Sequence, residues 1–188
     1  MKLNLGCGNA KRAGWINVDR FAGCAPDQVV DLEALPWPWP DSSVDEVALI
    51  HALEHLGATP ASYLGLMAEL WRVAAPGARI EIVVPHPRSD AFLNDPTHVR
   101  AVTPDGLALF DRALNRQWEK QGAANTPLGL QLGIDFEIEN VDYQLVPEWH
   151  ARLAKGEIDR AQVEDALRHF NNVCGQIAIV LRARKPLR

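Results

Sequence analysis

Short apolar runs, each stopped by a glycine, a proline or an acid, recur along this chain and alternate with helical or loop-like segments. That alternation narrows the architecture more than any other property, because strands separated by crossover segments assemble into a parallel sheet. The runs are Lys2–Leu5, Gly14–Val18 with Asp19 at its end, Gln28–Leu32, Val44–Ile50, Ala78–Pro85, Asp135–Val146 and Cys174–Ala183. Between the third and fourth lies PWPWP, Pro36–Pro40, whose prolines forbid a helix or a central strand.

Pro60–Ala74 has helical periodicity, with Tyr63, Leu64, Met67, Leu70 and Trp71 on one face. The segment APG at Ala75–Gly77 stops it. One further helix is expected with Pro104 in its first turn and Leu107, Leu109, Phe110 and Leu114 as its apolar residues. A helical insertion at about 147–172, most periodic over Asp159–Phe170, separates the last two strands, so no tight hairpin joins them. No shift in composition marks a boundary. The 188 residues suit a single domain with one core.

The net charge is -5, from 24 acids and 19 bases, which disfavours a broad nucleic-acid footprint. No basic-then-apolar leader follows Met1, and no apolar run is long enough to span a bilayer. Cys7, Cys24 and Cys174 are scattered and odd in number, so no disulfide framework is expected and a cytoplasmic location is the simplest.

In a doubly wound sheet, ligands bind beyond the carboxyl ends of the strands. Gly6 and Gly8 would lie there, where glycine serves either a tight turn or a close backbone approach to a ligand. The dinucleotide fingerprint is not met: Lys11 occupies its third glycine position, and Asp19 follows too soon. A carboxylate at a strand end can still accept from sugar hydroxyls. It can equally be an exposed strand terminus.

The ordered series LNLGCGN, WINVDR, VDLEALPW, DSSVDEVALIHALEHL and ELWRVAAPGARIEIVVP resembles class I S-adenosylmethionine-dependent methyltransferases. It is most similar to small bacterial members with a GW-x-N-x-D stretch and an LEH after the fourth strand. The resemblance is dense over Lys2–Pro85 and thinner beyond. It implies a Rossmann-like, doubly wound α/β domain, with a mostly parallel seven-stranded sheet and an antiparallel last strand. It also implies S-adenosylmethionine as cofactor and S-adenosylhomocysteine as product. Carried over by position, Gly6, Cys7, Gly8 and Asn9 would face the methionine and ribose part. Asp19 would take the ribose hydroxyls, Asp31 the adenine amino group, and Leu32 would offer an amide and an apolar wall. His51 would line the methionine end. The chain departs from the pattern at Asn4, where an acid is usual, at Ala10, where a glycine is frequent, and in a first helix that must be unusually short.

HALEH, His51–His55, also fits the inverted zinc-protease pattern H-x-x-E-H. A third ligand and a longer helix would be required, so no metal is expected. Glu54 and His55 are instead expected to cap or orient the next helix. The polar stretch after the fifth strand contains His86, Asp95, His98 and Arg100, and the DPTH-x-R run recurs in some relatives on the substrate side. A hydroxyl acceptor needs a base to take its proton, which makes His98 the first catalytic candidate and His86 the second. The expected acceptor is a small molecule or a glycan, and the alternative is a non-catalytic cofactor-binding protein. Trp118, Trp149 and the helical insertion are read as a lid or a homodimer surface.

Overall fold

The computed structural model describes residues 1–186. The strands are β1 (Lys2–Leu5), β2 (Ile16–Asp19), β3 (Gln28–Val29), β4 (Val44–Ile50), β5 (Ala74–Pro85), β6 (Phe136–Leu145) and β7 (Cys174–Ala183). They form one seven-stranded sheet in the order β3-β2-β1-β4-β5-β7-β6. β3 to β5 pair in parallel, whereas β7 runs antiparallel to both β5 and β6. The architecture is the Rossmann-like one, with strand order reversing at β1/β4.

Paired residues share a face of a sheet. Leu3, Val47, Ile80 and Leu181 form one row, and Leu5, Leu49, Ile82 and Ile179 form the next. All eight are buried. Against them pack Leu66, Met67, Leu70 and Val73 of helix α1 (Pro60–Val73), together with Phe110 and Phe136, in one cluster. At roughly 1.5–3 kcal/mol per fully buried large apolar side chain, this face dominates the stability.

The reverse face is different in kind. Its rows read Asn17, Asn4, Ala48, Glu81, Val180 and Lys2, Glu46, Arg79, Arg182. An amphipathic helix would find little apolar surface there, and no α-helix joins β1 to β2. The short first helix expected from the sequence is absent. The loop 6–15 crosses that face instead, tied down by hydrogen bonds. Asn4 Nδ2 donates to Ala10 O (2.9 Å) and Asn17 Oδ1 (3.0 Å), and the Arg12 amide donates to the same Asn17 oxygen (2.8 Å). Arg12 Nη1 reaches Glu81 Oε2 at 2.9 Å.

Other expectations shift in their bounds. The third strand stops at Val29 rather than Leu32, because Asp31 Oδ1 accepts from the Glu33 amide and turns the chain. Trp37 and Trp39 are buried edge-to-face, 5.7 Å apart, with Trp37 Nε1 donating to Leu32 O. They secure the sheet edge.

After the short helix α2 (Asp90–Leu93), the single helix expected near Pro104 is split into α3 (Pro104–Ala108) and α4 (Arg112–Gln121). Asp111 restarts the helix by accepting from the amides of Ala113 and Leu114. Helix α5 (Leu128–Leu132) follows. The insertion between β6 and β7 is likewise two helices, α6 (Pro147–Ala154) and α7 (Arg160–His169). Gly156 in a left-handed conformation lies between them, and an Asp159–Gln162 capping box opens the second.

Candidate functional site

A cavity of about 430 Å³ opens at the carboxyl ends of β1, β2 and β4. Gly6 lies at its floor with φ +66°, and a Cβ there would come within 2.7 Å of Ala52 Cβ. Only glycine lets the first loop approach the end of β4 so closely. Cys7 N donates to Val18 O (3.0 Å) and Gly8 N to Asp19 Oδ2 (2.8 Å), which sets the loop across the end of β2.

Asp19, Arg20, Val30, Asp31 and Leu32 line one side of the cavity. Asp19 is held by two amides, Gly8 on Oδ2 and Phe21 on Oδ1. Each oxygen keeps a second acceptor site. Asp31 is exposed, while Leu32 is buried and presents an apolar wall. Two carboxylates and an apolar surface therefore face one volume. Cys7, Gly8 and Asn9 belong to the same loop but do not line the cavity. Burial pushes the Cys7 thiol up to about 11, with Cys24 and Asp19 adding to the shift.

His51, Ala52, His55 and Leu56 form the wall beyond β4. His51 sits at φ +51°, an uncommon left-handed position for a non-glycine residue, and its amide donates to Val83 O at 2.8 Å. The imidazole lies 3.4 Å from Glu54 Oε1. Interaction with this carboxylate raises the His51 pKa above its ordinary value, against the opposing effect of burial. Leu53–His55 is a single 3₁₀ turn. Glu54 and His55 do not cap α1: Thr59 and Ser62 do so with a reciprocal capping box.

The DPTH-x-R run closes over this turn. Val99 N and Arg100 N both donate to Glu54 O (2.9 and 3.2 Å), and Thr97 and Val99 complete the cavity lining. His98 has a buried side chain whose Nδ1 donates to Phe92 O at 2.8 Å. Its ring stacks on Phe92 and lies 4.6 Å from the ring of His55. His86 is apart from this group, beside the Tyr143 ring, with Nδ1 accepting from the Arg88 amide at 3.1 Å. Burial, then the Arg88 charge, lowers its pKa. Neither His98 nor His86 lines the cavity; His51 and His55 do.

Sequence reasoning assigned no ligand role to Arg20, Val30, His55, Thr97 or Val99. The signals for them are adjacency to Asp19 or Asp31 for Arg20 and Val30, the HALEH motif for His55, and the DPTH-x-R run for Thr97 and Val99. Beyond that run a second cavity of about 280 Å³ is lined by Tyr63, Arg100, Phe110 and Leu128, among others. The Arg100 guanidinium lies 4.0 Å from the Tyr63 ring centroid and donates to Gly57 O. Among the described residues, two groups of side chains could hold a metal ion: Cys7, Asp19 and Cys24, and Glu54, His55 and His98.

The chain shares its fold with solved S-adenosylmethionine-dependent methyltransferases. One from Archaeoglobus fulgidus aligns with a TM-score of 0.60 at 21% identity, over 96% of this chain and 85% of that one. Another, from Methanosarcina mazei, has a TM-score of 0.58 at 14% identity, over 98% and 92% of the two chains. The cyclase SpnF has a TM-score of 0.52 at 18% identity, over 98% and 74%. No family model matches the chain, and no curated protein matches it in sequence.

Proposed function

We propose that this chain binds S-adenosylmethionine in the 430 Å³ cavity and transfers its methyl group to an acceptor arriving beside the DPTH-x-R run. The observation that carries this reading is the convergence of Gly6, Asp19, Asp31, Leu32 and His51 on one volume at the strand ends. The donor and acceptor set fits the cofactor. Asp19 has acceptor capacity left for two ribose hydroxyls, and Asp31, whose Oδ1 already accepts from the Glu33 amide, has capacity left for the adenine amino group. Leu32 supplies the wall for the base. Gly6 would meet the ribose and methionine part, with Cys7, Gly8 and Asn9 behind it in the same loop and His51 at the methionine end.

The bound sulfonium would supply an electrophilic methyl for in-line displacement, so the protein's work is chiefly positioning. A hydroxyl on a small molecule or glycan must lose its proton as it attacks. His98 is the better supported of the two histidine bases. Its Nδ1 donates to Phe92 O, which leaves Nε2 as the nitrogen that could take a proton, next to His55 and 3.8 Å from Asp95 Oδ2. His86 is remote from the cavity lining.

A second reading, cofactor binding without methyl transfer, is favoured by the absence of both His98 and His86 from that lining. The cyclase SpnF illustrates that this fold is not tied to a single reaction. Calorimetric titration with S-adenosylmethionine, on wild type, Asp19→Ala and Asp31→Ala, tests the site. Methyl-label transfer to a panel of small-molecule and glycan acceptors then separates the readings. Binding that weakens in both variants, with label transferred, supports the enzyme; binding without transfer supports the second reading. No binding by the wild type removes both.

A further inference from the structure

We propose that Glu54, His55 and His98 form a binding site for a divalent transition-metal ion of the zinc class, open to the wall of the cavity. One ligand atom from each lies within 4.8 Å of those of the other two. Zinc bonds to nitrogen and oxygen at about 2.0–2.2 Å, so two ligands of one ion stand at most roughly 4.4 Å apart. Small side-chain rotations close the set.

Three independent features point to a cation. First, Glu54 is 1% exposed, yet neither carboxylate oxygen receives a hydrogen bond. The half-exposed His51 ring, with Nδ1 3.4 Å from Oε1, is a charge partner when protonated but leaves Oε2 without a hydrogen bond. A buried carboxylate oxygen without a donor costs free energy that a bound cation offsets.

Second, both histidines are held in the tautomer a metal requires. The Phe92 carbonyl can only accept, so His98 Nδ1 carries the proton. Thr97 Oγ1 donates its own proton to Asp95 Oδ1 at 2.6 Å, so it accepts from His55 Nδ1 at 3.0 Å. Each ring therefore turns Nε2 away from its anchor, and that of His98 stands 3.8 Å from Asp95 Oδ2. A ligating histidine is usually fixed through its other nitrogen in this way.

Third, two imidazoles and one carboxylate are a donor set suited to zinc or ferrous iron, with a remaining position for water or substrate. His55 and Thr97 line the cavity, so that position is reached from it. The other cluster lacks these features. The oxygens of Asp19 already hold two amides, and Cys24 Sγ donates to Phe21 O at 3.0 Å.

The H-x-x-E-H pattern thus contributes a different ligand set from the one its spacing suggests. His51, at the strand end, does not join His55; His98 supplies the third ligand from another loop. A hydroxyl bound to the ion would lose its proton more readily, which would replace the base role of His98 rather than add to it. The site does not depend on the cofactor reading, since metal binding is measured without cofactor.

The test is calorimetric titration of the chelator-treated full chain with Zn²⁺, with Co²⁺ as an optical probe. Expected are one ion per chain, at least about tenfold weaker binding in His55→Ala and His98→Ala, and a smaller loss in Thr97→Val, which removes the hydroxyl between His55 Nδ1 and Asp95 Oδ1 but keeps the main-chain oxygen 3.3 Å from Nδ1. Thr97→Val, distant from the core, keeps the test informative if a ligand variant does not fold. Absence of stoichiometric binding by the wild type overturns the proposal. So does undiminished affinity in His55→Ala, His98→Ala and Thr97→Val, or a thiolate charge-transfer band in the Co²⁺ spectrum, which would assign the ion to Cys7 and Cys24.

Discussion

The amide of Gly8 donates to Asp19 Oδ2 at 2.8 Å, so the loop that leaves the first strand is suspended from the end of the second. The same carboxylate also accepts from the Phe21 amide through its other oxygen, at 2.9 Å. One aspartate therefore orders two loops before any ligand arrives, and it does so where a ligand would bind. Backbone order at a binding site lowers the entropy lost on binding.

Asp19→Asn is expected to lose one of those two bonds, since its amide nitrogen cannot accept. A charge-assisted hydrogen bond of this kind is worth about 1.5–3 kcal/mol. Urea unfolding should show a loss of that order even without ligand. A variant as stable as wild type would mean that the two loops are ordered independently of Asp19.

Gly6→Ala adds a methyl that meets Ala52 Cβ at 2.7 Å, at a backbone φ of +66°. Overpacking and the left-handed backbone together are expected to cost about 1–3 kcal/mol. The double variant Gly6→Ala/Ala52→Gly should recover the steric part alone, leaving a residual loss from the backbone. Full recovery would show that the φ value carries no penalty.

Asn4→Asp tests what the amide at this position does. Asn4 is 2% exposed and donates to two oxygens, Ala10 O and Asn17 Oδ1. A carboxylate there would face acceptors without a proton to give, so a loss of at least about 2 kcal/mol is expected at neutral pH. The folded state would raise the pKa of the new acid. The penalty should therefore shrink as pH falls through that raised value, and stability measured against pH would reveal it. A pH-independent difference from wild type would refute the account.

Glu69 accepts from Arg72 Nε and Nη2 (2.7 and 2.8 Å) and from the Trp37 amide (2.7 Å). Hydrogen bonding from Arg72 holds its carboxyl below the ordinary value of 4.5, against the opposing effect of burial. A lowered folded-state pKa gives stability that is fully present above 4.5 and is lost as pH falls through the folded value. Glu69→Gln should thus be less stable than wild type at neutral pH by about 1.5–3 kcal/mol, with the gap closing in acid. Parallel stability curves across that range would remove Glu69 from the acid response.

Much of the scaffold is legible along the chain. Val44–Ile50 and Cys174–Ala183 are strands with the bounds that the apolar runs predict, and Pro60 opens a helix as its position suggests. The Gly6–Asn9 loop and Asp19 are likewise legible, because a glycine turn and a strand-end acid depend on neighbouring residues only. The missing first helix is only half legible: the spacing allows no more than a short helix, and it is the pairing of Asn4 with Asn17 at 3.0 Å that shows the reverse face to be polar.

What the amino-acid order alone determined is the set of strands, the apolar rows they offer and the loop that meets the ends of β1 and β2. These follow from periodicity and backbone preference, which act over a few residues. Tertiary structure decided that His98 stands against His55 and Glu54, that Thr97 orients His55, and that His86 lies elsewhere. Those relationships depend on strand order and on how the loop after β5 folds back over the end of β4. No local spacing encodes them, because the hydrogen bonds of Val99 and Arg100 to Glu54 O arise only once both strand ends lie side by side in the sheet.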